Sequence, residues 1–584
     1  MRSRQKKCQP VTDQHMPMIE LPPFVPFIVV AVIVLFTRGK LTHALMLLTP
    51  LLGALNLWHM STGAHGEVTL FSLKLTLVHI DKLSLVFGYI IHIAAFLAII
   101  YALHIRDKMQ QLATLIYVAG ALGAIFAGDL ITLFIFWELM AISSVFLIWA
   151  RRSTKSFASG FRYFVYQFIS GLLLLIGTVF YWYQHGSIAF TQMSLHDTGT
   201  ALIFIAFGIK CAFPMLHTWL TDAYPEATVT GTVLLSALTT KVAVYALARG
   251  FPGTELLIYI GAVMTCFPIF YAVIENDLRR VLAFSLINQL GFMVVGIGVG
   301  TELAINGAVS HAVNDILFKG LLFMSMGAVL HMTGRINGSE LGGLYKTMPK
   351  TTVLCIIGAA SISAFPLFNG FVSKSMVMTA VIEQGYGGIW LALLFASAGV
   401  FHHAGIKIPY FAFFGHDSGI RTSEPPANML LAMFFAAALC LAIGSYPNLL
   451  YQFLPFELDY SPYDVSHVLA QTQLLFFAAL AFAWLNIKGI YPPELPSTNL
   501  DVDWLYRRWL PSLWTRLTDH VTDAYHLSAE LTLTKLRRIL EVIRAYHRPH
   551  GILARAQTVS NMTLWIAILL ACYLVLSYFG SYLI

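Results

Sequence analysis

Five lysines and one glutamate lie inside long apolar stretches of this chain: Lys210, Lys241, Lys319, Lys374, Lys407 and Glu138. The chain is 58% hydrophobic and only 11% charged, against about 25% charged in soluble domains. Apolar stretches of this length belong in a bilayer. There every backbone polar group must be satisfied internally, so the spans must be helices. The expected fold is therefore all-α and polytopic. A charge at the bilayer centre costs at least ~2.5–3.5 kcal/mol on insertion scales. Six such residues in several spans point to a buried relay for protons or other cations. A static polar core is the alternative.

A span needs about 20 apolar residues. The pattern predicts helices near 24–37, 42–58, 79–103, 111–127, 129–150, 161–184, 200–221, 229–249, 254–274, 279–300, 304–331, 351–383, 388–415 and 427–447. Two more follow near 468–488 and 560–582, making fourteen plus two.

Basic residues set the orientation. With the N-terminus outside, the inner loops between the first fourteen spans carry fourteen: Arg38, Lys40, Arg106, Lys108, Arg151, Arg152, Lys155, Arg162, Arg279, Arg280, Arg335, Lys346, Lys350 and Arg421. The outer side carries Lys74, Lys82 and Arg249. This predicts a multi-pass protein of a bacterial inner membrane with a periplasmic N-terminus. Arg2, Arg4, Lys6 and Lys7 run against that assignment. Either they are translocated or translation starts at Met16 or Met18. Met1–Glu20 has no apolar core, so it does not read as a signal peptide.

The net charge of +7 fits cytoplasmic loops facing anionic lipid and makes no case for nucleic acid. The cysteines are scattered without a CxxC pair, and no two histidines share a ligand spacing with a carboxylate partner. Neither a disulfide framework nor a metal site is expected. Gly296, Gly298 and Gly300 end a hydrophobic span and read as helix packing, not a nucleotide loop. From Asp501 to His550 charge is dense, with Leu531, Leu533, Leu536, Ile539, Leu540 and Ile543 recurring among it. That predicts an amphipathic helix on the cytoplasmic surface, followed by one anchor span. A solvated linker is the plainer reading.

Two spans carry the same local text. Lys210 is followed by Ala212-Phe213-Pro214, and Ser363 by Ala364-Phe365-Pro366 with Lys374 beyond. Proline inside a helix removes a backbone hydrogen bond and breaks or kinks it. In a membrane such breaks are tolerated inside protein or beside water, and paired breaks in two halves mark a transport path. The breaks are five spans apart. Two five-helix units, 111–249 and 254–415, are thus expected, and odd-numbered units in tandem must be inverted.

Glu138 would ionise when Lys210 is close and take a proton when Lys210 moves away. A static ion pair is the alternative. His311, Asp315 and Lys319 are spaced i, i+4, i+8, on one helix face. An Asp315–Lys319 pair would hold both charged, with Lys374 as the terminal group. His217 and His331 are weaker candidates, and His402 and His403 weaker still. Lys407 sits near a span end and could instead snorkel to the surface.

Together with Trp137-Glu138-Leu139-Met140, the stretches Phe213-Pro214-Met215-Leu216-His217, Thr240-Lys241, Asp277-Leu278-Arg279-Arg280, Ser285…Gln289, Phe318-Lys319-Gly320, Leu341-Gly342-Gly343 and Gly370…Lys374 make the chain resemble a known family. It is similar to the antiporter-like membrane subunits of respiratory complex I, membrane hydrogenases and Mrp-type cation/proton antiporters, and nearest the D-type subunit of the last. The resemblance covers roughly 75–450. It implies a fourteen-helix core with two inverted five-helix repeats. It also implies a first half-channel of Glu138 and Lys210, a bridge at Lys241, and His311 and Lys319 feeding Lys374. The tail resembles the lateral helix and anchor of the longest complex I subunit, which brace neighbouring subunits. About 45 residues would give roughly 65–70 Å. The implied domains are N-terminal helices (1–110), the two repeats, C-terminal helices (427–490), a lateral helix (501–550) and an anchor (560–582).

Two features depart from the family. Asp315 stands where a histidine is usual, and Ala227-Thr228-Val229-Thr230-Gly231 replaces the usual Pro-rich text. The resemblance implies a subunit exchanging Na+ or another monovalent cation for protons, working with other membrane subunits and carrying no cofactor of its own. The alternatives are a proton-pumping subunit of a complex I-like or hydrogenase complex, or an ion-driven subunit of an inorganic-carbon uptake complex.

Overall fold

A computed structural model describes residues 21–70, 73–496, 499–554 and 559–580. The basic N-terminal residues and both alternative start methionines lie outside the described residues. The chain divides into two compact units, Met1–Asn499 and Leu500–Ile584.

The large unit opens with α1 (Val25–Phe36) and α2 (Lys40–His59). An antiparallel hairpin follows, β1 (Gly63–Leu70) and β2 (Leu73–Ile80). Then come α3 (Lys82–Tyr101), α4 (Lys108–Phe126), α5 (Leu130–Trp149), α6 (Thr154–His185), α7 (Thr198–Lys210), α8 (Thr218–Ala223) and α9 (Val229–Gly250). The second run is α10 (Leu256–Ile274), α11 (Leu278–Val299), α12 (Glu302–Thr333), α13 (Pro349–Ile362), α14 (Asn369–Glu383), α15 (Gly387–Val400) and α16 (Lys407–Pro409). Wide π-turns flank α16, and α17 (Ala427–Ser445), α18 (Asn448–Tyr451) and α19 (Val465–Ile487) close the unit.

Among the described residues thirteen helices are long and apolar enough to cross a membrane, and three shorter apolar ones are α1, α7 and α13. This is a multi-pass membrane protein. Together they account for all sixteen expected spans, since α7 and α13 are the first halves of the two broken ones. The hairpin was not foreseen. Leu75, Val78 and Ile80 of β2 are buried, and the Thr76 amide donates to Asp129 Oδ2 at 2.7 Å. The hairpin thus lies against the start of α5.

The centre of the bundle is α9 and α11, whose apolar stretches are buried throughout, together with most of α12. Arg279 was expected to face inner-leaflet lipid. It is instead buried, and its guanidinium donates to the carbonyls of Pro225 at 3.0 Å and Ala227 at 3.1 Å. It fastens the loop whose text departs from the family.

The two breaks have one backbone path. Ala212 and Ala364 both have φ of 61°, and Met215 and Leu367, one residue after each proline, have φ of 67° and 74°. The Phe213 amide donates to Gly208 O and the Phe365 amide to Ala360 O, so each half-helix closes with a bond five residues back. Such closures usually place glycine at the left-handed position. Alanine there costs of order 1 kcal/mol.

The small unit has a π-turn (Leu505–Trp509), α20 (Leu510–His547) and α21 (Val559–Gly580). None of α20's side chains is buried. Leu510, Leu517, Val521, Tyr525, Leu536, Ile539 and Ile543 recur at helical spacing on one face, while Asp519, Asp523, Glu530, Arg537 and Arg544 fall on the other. The π-turn runs into α20 without a break, and the whole helical run, 503–547, spans roughly 65 Å.

Candidate functional site: a buried line of charges

The first end of the line is Glu138 on α5. It is half-buried rather than buried. Its Oε1 is enclosed and has no hydrogen-bond partner among the described residues. Gly171 on α6 makes the room: a Cβ there would land on that carboxylate. Sequence reasoning missed this glycine, and the only signal was a small residue inside an apolar span. Gly171→Ala is expected to overpack this niche, re-aiming Glu138 and lowering stability by about 1–3 kcal/mol. Thermal denaturation of the detergent-extracted protein checks it.

Lys210, the last residue of α7, is fully buried. Its Nζ donates to Trp137 O at 3.0 Å and lies 4.2 Å from the Trp137 ring centre. Trp137 is fixed in turn by its indole N–H, which donates to Ser170 Oγ at 3.0 Å. Glu138 and Lys210 lie within electrostatic reach of each other.

At the centre, Lys241 on α9 forms an ion pair with Asp315 on α12, both fully buried. It also donates to Ser236 O at 3.0 Å. This corrects the expected Asp315–Lys319 pair. Lys319 instead donates to Ser285 Oγ on α11 at 2.8 Å. Four-residue spacing puts Asp315 and Lys319 on one face, but the facing helices decide which partner each meets. His311 shares that face, with its Nδ1 2.9 Å from Ser373 Oγ on α14. Lys374 is the next residue. Its Nζ donates to Ile362 O, the end of α13, at 2.8 Å. His311 lies within electrostatic reach of Lys374, Lys241 and Lys319. The line thus runs α5, α7, α9, α12, α14 through the middle of the bundle.

Lys374 and Lys210 each accompany a break, but they do not match by position. Lys210 precedes its break and Lys374 follows its own. Lys407 does not snorkel. It is fully buried and donates to Val273 O and Glu275 O, both at 2.7 Å, with Glu494 Oε1 at 2.8 Å. Three acceptors use all three of its N–H bonds, so it is a clasp at the end of α10 and stands outside the line. His217 precedes α8 and packs on Phe267, 4.7 Å between ring centres. His331 lies exposed at the end of α12 against His104, away from the line. Pro214 and Pro366 each sit in a break, between the two left-handed residues. Among the described residues no three His, Cys, Asp or Glu side chains gather as a metal would require.

The profile described as NADH:quinone oxidoreductase/Mrp antiporter, transmembrane, matches residues 127–402. The D-type Na(+)/H(+) antiporter subunit of Alkalihalophilus pseudofirmus is 30% identical over 363 residues, covering 57% of this chain and 72% of that one. The chain belongs to this NADH:quinone oxidoreductase/Mrp antiporter family. Hydrogenase-4 component B of Escherichia coli is 28% identical, covering 56% of this chain. The chain spans 55% of the length of that component and 53% of the A-type Na(+)/H(+) antiporter subunit of Alkalihalophilus pseudofirmus. Among solved structures, an Mrp complex from Dietzia aligns with a TM-score of 0.67 over 77% of this chain and 98% of that chain, at 22% identity. An archaeal membrane-bound sulfane sulfur reductase aligns with a TM-score of 0.70 over 95% and 100%, at 21% identity. These two establish the shared fold.

Proposed function

We propose that this chain is the proton-translocating membrane subunit of a multisubunit Na+/H+ antiporter, another monovalent cation being the variant of the same reading. The observation that carries it is the buried Lys241–Asp315 pair, within electrostatic reach of Lys374 on one side and of Cys211, the neighbour of Lys210, on the other. Static buried pairs add little net stability, whereas a line of titratable groups across several helices passes protons. Glu138 and Lys210 form the first half-channel, Lys241 and Asp315 the bridge, and His311, Lys319 and Lys374 the second.

The repeats are 111–249 and 254–415, inverted. Their support is the common backbone of the breaks and the equal 32-residue lengths of α6 and α12. The N-terminus is periplasmic, and α20 lies on the cytoplasmic surface with α21 as anchor. The partners are other membrane subunits and lipid.

A proton-pumping subunit of a redox complex is the second reading, favoured by α20 and α21, which resemble the brace of the longest complex I subunit. The test uses the full chain with its native partners, in inverted vesicles holding a preset pH gradient. The antiporter reading expects added Na+ or K+ to collapse the gradient, and small antiporter subunits to co-purify. A gradient indifferent to every monovalent cation, with oxidoreductase subunits co-purifying, overturns it.

A further inference from the structure

A second polar route leads away from Lys374. A cavity of about 260 Å³ opens between α14, α15 and α19. Lys374 forms part of its wall, and His467 and Gln471 of α19 line it too. It lies toward one end of the bundle, the end where α14 finishes and α15 and α19 begin.

The break frees the last carbonyls of α13. Lys374 takes Ile362 O at 2.8 Å, and Gln471 Nε2 donates to Ser363 O at 3.2 Å. Two side chains thus hold neighbouring carbonyls of one helix end. His467 lies four residues before Gln471, one turn nearer the end of the bundle on the same face of α19. It is partly exposed, while its Nδ1 is enclosed and has no hydrogen-bond partner among the described residues. Asp464, the N-cap of α19, is within electrostatic reach of it. At the same end Tyr460 meets Thr379, another residue of the cavity wall, at 3.2 Å. Packing at a helix start is the plain explanation for His467. It leaves unexplained why the histidine shares a cavity with Lys374, which is only 2% exposed and has to exchange protons with water.

We propose that His467 is the proton port between Lys374 and the aqueous face at this end of the bundle, with Gln471 as a positioning residue at the break. The proposal rests on the relay reading above. The Lys374 ammonium passes one proton through water in the cavity to the neutral His467 imidazole. The amine is left neutral and the imidazole becomes imidazolium, which gives the proton to bulk water. The reverse sequence admits a proton, and no other reactant is needed. Imidazole suits the task because its two ring nitrogens let it accept a proton on one side and give one up on the other.

The test measures proton flux with the full chain and its partner subunits in vesicles. His467→Ala and His467→Gln are both expected to lower flux roughly tenfold or more. Added imidazole is expected to restore part of the flux in His467→Ala, which a packing role would not produce. Met378→Trp, which fills the cavity, is expected to lower flux with His467 intact. Parental flux in both His467 variants overturns the port, and so does a loss that glutamine repairs and imidazole does not. Glu138→Gln separates the two levels. If it abolishes flux while the His467 variants run normally, only the port fails. If it too is silent, the relay reading fails.

Discussion

Proton flux is expected to fall to background in Lys210→Ala and in Glu138→Gln, with normal amounts of assembled complex. Lys210 ends a half-helix and spends its contacts on one carbonyl and one ring face. Its removal deletes the ammonium without opening a helix. Glu138→Gln keeps size and hydrogen-bonding capacity and removes only the titratable group. Loss of flux in both would then be loss of charge transfer, because Glu138→Gln leaves the bundle's packing nearly intact and the cavity left by Lys210→Ala is checked by the amount of assembled complex. Inverted vesicles loaded with a pH-sensitive dye give the rate, and detergent-extracted complex gives the assembly. Near-parental flux in both variants would remove the first half-channel from the mechanism.

The Lys241–Asp315 pair gives the second large effect, and it separates folding from transport. Asp315→Ala strands an ammonium in the driest part of the bundle, where breaking a buried pair costs about 3–5 kcal/mol. Both thermal stability and flux should drop. Adding Lys241→Met removes the stranded charge, and apolar replacement of a whole buried pair is often neutral or stabilising. The double variant should therefore regain most of the lost melting temperature while flux stays at background. Recovery of both would make the pair mere packing. Recovery of neither would mean that the pair holds α9 and α12 together in some further way.

Much of this was legible in the sequence because a bilayer leaves few options. Sixteen apolar stretches had to be helices, and two Ala-Phe-Pro repeats had to break two of them. The hairpin before α3 escaped because it falls almost wholly between two expected spans, 42–58 and 79–103, where a search for helix-length apolar runs reads only a connection. The partner of Asp315 escaped for another reason. Spacing along α12 orders His311, Asp315 and Lys319 on a face, but Lys241 arrives from a helix roughly seventy residues earlier. Lys407 looked like a surface lysine because it lies near a span end. Its carboxylate partner, Glu494, comes from the segment beyond α19, far along the chain.

The matching kinks carry one more implication. Ala212 and Ala364 are 152 positions apart, so the counterpart of Lys210 is Ile362. Lys374 nevertheless brings its ammonium to the carbonyl of that same Ile362. Each kink thus has a lysine of its own, one rooted before the bend with its ammonium on Trp137 O of α5 and one rooted after it with its ammonium on the helix end. Twisting the stub before the bend would drag the charge in the first half and leave it behind in the second. On the relay proposed above, the two kinks would therefore answer to opposite levers, and a single shear of the bundle would move one lysine while the other stays in place.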